Sequence, residues 1–186
     1  MSSTPSPRSI TVARDPLPAA TRIGHVHLKV ADLDRAVGFY RDALGFDLVN
    51  RFGDQAAFLS AGGYHHHIGL NTWESKGGGP PPFGSTGLYH FAILYPERRD
   101  LAAALKRLLD HGWGIDGASD HGTHEAIYLH DPDDNGIELA WDRDPALWQR
   151  DGQIVFDRQP LDFAGLLAEL GDPDAERYLP QLAYYR

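Results

Sequence analysis

The chain has 186 residues, 42% hydrophobic and 11% aromatic, enough for one domain with a substantial core or two small units sharing one. A net charge of −9 argues against the phosphate backbone of nucleic acid and against an anionic membrane surface as partners. Cysteine is absent, which excludes disulfides, thiolate metal sites and cysteine nucleophiles, whereas ten histidines is a high count.

Residues 1–21 mix Ser, Pro and Arg without a central apolar block, so a flexible tail is expected rather than a secretory signal. No stretch approaches the ~18 consecutive apolar residues of a membrane span, and a cytoplasmic protein with no membrane partner is the expectation. A first unit is predicted over residues 22–74. In Ile23-Gly24-His25-Val26-His27-Leu28-Lys29-Val30, the residues Val26, Leu28 and Val30 fall on one strand face and His25 and His27 on the other. Asp32 can cap a helix that places Leu33, Ala36, Val37, Tyr40 and Leu44 on one side, with Gly45 at its end. Strands are predicted near 46–52, 56–60 and 67–72.

The Gly/Pro-rich run SKGGGPPPFGSTG, residues 75–87, is expected to be a linker rather than a loop over a site. The order of elements then recurs over residues 88–143. A strand near 88–95 contains His90, and a helix over 100–110 turns Leu101, Ala104, Leu105 and Leu108 inward. Strands follow near 113–115, 125–130 and 136–141. Gln55-Ala56-Ala57-Phe58-Leu59 resembles Glu125-Ala126-Ile127-Tyr128-Leu129, so the chain looks like a duplicated βαβββ unit whose halves pack together. Residues 144–186 lie outside the repeat as an extension with short helices near 145–150 and 161–170.

The last strand of the second unit follows the turn Asp131-Pro132-Asp133-Asp134-Asn135-Gly136. It carries Glu138 inside the apolar run Ile137-Glu138-Leu139-Ala140-Trp141. Such a carboxylate either faces water on an edge strand or, if buried, needs a partner or a metal. The duplication makes His25 and His90 equivalent, each on the first strand of its unit. If the sheets curve together, two imidazoles and one carboxylate converge, leaving about three open positions in an octahedral site. That set suits non-haem Fe(II), with Mn(II), Ni(II) or Zn(II) as alternatives. The first unit has no matching carboxylate, since Ile68 and Gly69 stand there, and His27 is an alternative to His25.

The run IGHVHLKVADLDRAVGFYRDALGF resembles the opening of the vicinal oxygen chelate superfamily, which contains glyoxalase I, fosfomycin-resistance proteins, bleomycin-binding proteins and extradiol dioxygenases. YHHHIGLNTW, GLYHFAIL and SDHGTHEAIYLHDPDDNGIELAWDR are similar to its catechol 2,3-dioxygenase branch. The resemblance implies an α+β fold in which two paired βαβββ modules form a curved-sheet metal cup. It implies His25, His90 and Glu138 as metal ligands, His67 as the acid/base residue with His66 a close second, and Tyr128 against a substrate oxygen. His121 would contact substrate, with His124 the alternative. The implied reaction is cleavage of a catecholic ring with O2, the partners being a small aromatic diol, O2 and a second copy in a homodimer. Glyoxalase-like isomerisation, a fosfomycin-type transfer and metal-free binding of an aromatic drug are the other activities of the group. The larger catechol 2,3-dioxygenases carry four such modules, and this chain has two.

Overall fold

Alternation settles the first strand. In β1 (Val26–Lys29) the Leu28 side chain is buried, as is Val30 just after it, while His27 and Lys29 take the other face. The computed structural model describes residues 15–185; of the expected tail, residues 1–14 lie outside the described residues. The Asp32 side chain accepts from the Arg35 amide and starts α1 (Leu33–Gly38). The helix then widens into a π-helical turn over Phe39–Ala43. That turn brings Phe39, Tyr40 and Ala43 into the core together with Leu33, Ala36, Val37 and Leu44.

Three more strands, β2 (Asp47–Phe52), β3 (Ala56–Ser60) and β4 (Ile68–Asn71), complete a sheet in the order β1-β4-β3-β2. Its β1–β4 pair is parallel and the others are antiparallel. The second module repeats this with β5 (Phe91–Tyr95), α2 (Arg98–Asp110), β6 (Gly117–Asp120), β7 (His124–His130) and β8 (Gly136–Asp142). Its order is β5-β8-β7-β6, with β5 and β8 parallel. The fold is thus α+β, built from two βαβββ modules. The strand expected near 113–115 begins instead at Gly117. Trp113 is drawn onto Phe39 of the first module, with ring centroids 4.7 Å apart, and Ile115 enters the core. Ladder bonding on that edge starts only with the Asp116 amide donating to Tyr128 at 2.7 Å.

The modules meet where the segment from Ala31 through the π-helical turn packs on the turn after β7. Tyr40 donates to the buried Asp131 at 2.8 Å, and Asp133 accepts from the Ala31 amide at 2.9 Å and from Arg35 at 2.6 Å. Asp131 also accepts from the Asp133 and Asn135 amides, which fixes the turn leading into β8. Apolar side chains of both modules form one continuous core.

Residues 145–150, read as a helix, form a 3₁₀ turn (Pro145–Leu147) and the first strand of a small hairpin, β9 (Gln149–Arg150) with β10 (Gln153–Ile154). The later helix shortens to α3 (Phe163–Ala168), which buries Phe163, Leu166 and Leu167. Arg98 ties α3 to the second module: it donates to the Gly165 carbonyl and to the buried Glu125, which also accepts from Arg143. A 3₁₀ stretch (Pro173–Tyr178) and α4 (Leu179–Leu182) follow. Among the described residues, no helix is long and apolar enough to cross a membrane.

Candidate metal centre

The inner position of β8 decides the setting of Glu138. The strand lies between β5 and β7, so its backbone is paired on both sides, and Glu138 is only 7% exposed. A carboxylate buried there needs cationic or hydrogen-bonding company. It has two imidazoles. His90 Nε2 lies 2.8 Å from one carboxylate oxygen, and His124 Nε2 lies 3.1 Å from the other. The His124 ring is fixed from its far side by the Thr123 hydroxyl, 2.8 Å from Nδ1. His90 stands one residue before β5, where the chain passes close over Gly136. A side chain at Gly136 would run into the Tyr89 carbonyl, so the glycine permits this approach.

Tyr128 is the cross-strand partner of Glu138 on β7 and shares its face. Its hydroxyl lies 2.8 Å from His121 Nε2, while His121 Nδ1 is 3.2 Å from the Asp157 carbonyl. The His121 ring stacks on His124 at 4.7 Å. Burial and the nearby Glu138 carboxylate push the Tyr128 phenol up to about 12, against the opposing pull of Arg158. His90, His121 and Tyr128 all line a cavity of about 490 Å³.

The first module holds the other predicted residues. His25 precedes β1, and the Val26 amide bonds to the His67 carbonyl at 3.0 Å, so His25 and His67 sit side by side where β1 and β4 begin. Both line a second cavity, of about 420 Å³. The His25 ring lies 4.4 Å from that of His66, and His66 Nδ1 meets His65 Nδ1 at 2.9 Å. Burial and the surrounding histidines, His25 first among them, lower the His66 pKa. His67 Nδ1 is held by the Ser60 hydroxyl at 3.1 Å and the Ala61 amide at 3.3 Å.

The registers make the repeat exact enough to compare residues. Val26 pairs with Ile68 and Phe91 with Ile137, so His25 matches His90 and Gly69 matches Glu138. At Gly69 the His27 ring lies where a side chain would project: an added Cβ would come within 2.9 Å of it. His27 therefore fills the place of a second carboxylate, and burial followed by the His25 charge lowers its pKa. The predicted residues accordingly fall into two half-sites: His25, His66 and His67 in one, and His90, His121, His124, Tyr128 and Glu138 in the other. His90 and Glu138, an imidazole and a carboxylate aimed at each other, are of the ligand types that suit a divalent cation. His25 does not join them within one chain. Among the described residues, no group of three or more His, Cys, Asp or Glu side chains is disposed to hold a metal.

Sequence reasoning missed Arg158, which lies in the extension and lines the cavity of His90 and Tyr128. Only the return of the chain across β6 brings it there, and no local motif signals that return.

The family model described as the Glyoxalase/Bleomycin resistance protein/Dioxygenase superfamily matches residues 22–139. The chain is 43% identical over 155 residues to a catechol-2,3-dioxygenase of Bacillus subtilis (strain 168), covering 82% of this chain and 53% of that protein. It is 31% identical over 123 residues to biphenyl-2,3-diol 1,2-dioxygenase 3 of Rhodococcus globerulus, covering 65% of this chain and 63% of that one. The chain thus spans about half to two thirds of the length of these two relatives. Among solved structures, a glyoxalase/dioxygenase from Nostoc punctiforme aligns with a TM-score of 0.56 at 18% identity, over 72% of this chain and 100% of that one, a likeness of fold.

Proposed function

Since the chain belongs to the glyoxalase/bleomycin resistance protein/dioxygenase superfamily, we propose that it is a metal-dependent extradiol-type dioxygenase that cleaves a catecholic ring with O2. The observation that carries this reading is the buried Glu138 carboxylate facing His90 at 2.8 Å beside a cavity lined by Tyr128 and His121. The 43% identity to a catechol-2,3-dioxygenase supports it. In this reading His90, Glu138 and His25 hold Fe(II), and the protein acts in the cytoplasm as a homodimer.

When bound, the metal would supply Lewis acidity and a path by which electrons of the diol reach O2. The remaining work belongs to the side chains. Kept in the phenol form by burial and Glu138, Tyr128 turns its hydroxyl proton from His121 Nε2 to a substrate oxygen, with His121 as its acceptor until then. His124 braces the second oxygen of Glu138 and fixes the direction in which the carboxylate points. His67, set by Ser60 and Ala61, takes a proton from the diol and returns it to the product.

Because His25 and His67 lie in the other half-site, the complete centre forms where His25 of the partner subunit meets His90 and Glu138. Large apolar side chains exposed on the strands support such a contact, among them Phe52 and Leu94. The second-carboxylate position filled by His27 over Gly69 favours this reading over a two-glutamate isomerase site.

The test is to load the full chain with Fe(II) without air, then admit air and catechol. The expected outcome is a yellow ring-fission product with one O2 consumed per catechol. Oxygen uptake without ring opening, or no reaction with any catechol, overturns the reading.

A further inference from the structure

The extension does more than cover the second module. It runs antiparallel to the free edge of β6. The Gln159 amide donates to the Asp120 carbonyl at 2.9 Å, the Asp120 amide returns a bond of 2.9 Å, and the Asp157 amide donates to the His121 carbonyl at 2.8 Å. The Ser119 hydroxyl adds a bond to the Gln159 carbonyl. Arg158 stands between these two anchors, so its backbone position is fixed on both sides even though its side chain is exposed. It lines the cavity that holds His90, Tyr89, His121 and Tyr128. Its charge reaches the Tyr128 hydroxyl, whose proton affinity it lowers.

The acid beside this arginine in sequence and an acid on the cavity wall are already engaged. The Asp157 carboxylate pairs with Arg150, and Asp116, on the cavity wall, pairs with His130 at 2.5 Å. Among the described residues Arg158 has no acidic partner. A chain of net charge −9 that leaves a guanidinium unneutralised at the mouth of its cavity presents a fork suited to a carboxylate.

We infer that Arg158 is a specificity-determining residue that recognises an anionic substituent, a carboxylate first of all, on the aromatic diol bound in this cavity. The inference rests on the proposed dioxygenase site for the diol itself. It adds the substrate class: a catechol bearing an acidic side group at the end of the ring facing the extension. Asp157 and Gln159 act as positioning residues, through their backbone bonds to β6.

The test is an equilibrium binding titration, without O2, of the Fe(II)-loaded full chain. It uses two probes of similar size, methylcatechol and a dihydroxybenzoate. The wild type is expected to bind the carboxylate about tenfold more tightly, and added salt should shrink that preference. Arg158→Gln should bring the ratio to about one, while Arg158→Lys should retain part of it. A ratio near one in the wild type, or one unchanged in Arg158→Gln, overturns the inference. Ring-fission assays run in parallel separate the two claims. A carboxylate preference without ring fission removes the dioxygenase reading and leaves the anion subsite standing. Ring fission without the preference removes the subsite alone.

Discussion

With burial and Glu138 holding its phenol up to about 12, Tyr128 remains a proton donor across the whole neutral range. Its substitution should therefore act on the reaction rather than on its pH profile. Tyr128→Phe is expected to lower kcat/KM for a catechol roughly 10- to 100-fold, with the acid and alkaline limbs of the profile unmoved. A shift of the alkaline limb in the variant would show that Tyr128 titrates and contradict this role. At this scale the sequence was most informative where the duplication doubled the signal. His25 and His90 stand out because they occupy equivalent positions, which the registers align, whereas Glu138, opposite Gly69 in the repeat, stands out as a carboxylate inside an apolar strand. His124 was readable only as an alternative to His121. In the fold both are used, one on Tyr128 and one on Glu138. Arg158 carried no local signal, since its place depends on backbone bonds to a strand almost forty residues earlier in the chain.

Between elements, two ionic clusters fasten the extension to the second module. Glu125 is 2% exposed and holds both Arg98 and Arg143, and Arg98 in turn holds Glu169 beyond α3. Glu125→Ala leaves two guanidinium groups partly buried without their shared acceptor. It should cost about 3–5 kcal/mol of unfolding free energy, read from a urea titration. The second cluster is at the end of α2, where Asp110 accepts from Lys106 and from Tyr178 of the extension. The Lys106 hydrogen bond, then that of Tyr178, lowers the Asp110 carboxyl from the ordinary 3.8 to about 2. A depressed carboxyl stabilises the fold fully above its unfolded value, and that part is lost as pH falls from about 4 toward 2. Asp110→Asn should flatten the melting temperature of the chain in that window, and an unchanged slope would count against the cluster. Helix and strand periodicity made most of these elements legible, including both module helices. The strand at 113–115 misled because Trp113 and Ile115 are apolar for packing between modules, not for pairing in a sheet. The 3₁₀ turns and the β9–β10 hairpin have no periodic signal at all.

For the whole molecule, the decisive feature is the division of the predicted residues into a half-site on each module. A homodimer that joins them makes a specific prediction. His25→Ala and Glu138→Gln are each inactive alone, but unfolding and refolding them together should restore about a quarter of wild-type ring fission, because half the dimers regain one intact centre. No recovery on mixing would place His25 in the same chain's centre or outside it. The resemblance in the sequence pointed to one cup holding His25, His90 and Glu138. Within a single chain only the latter two meet, because each histidine is fixed by the start of its own sheet.

The central claim, that His90 and Glu138 form a metal centre, is tested most directly by anaerobic Fe(II) titration of the wild type beside Glu138→Gln, with iron counted per chain. The account predicts close to one iron per chain in the wild type and little or none in the variant, whose neutral amide is a far weaker ligand. Equal iron in both proteins, or none in either, would contradict it.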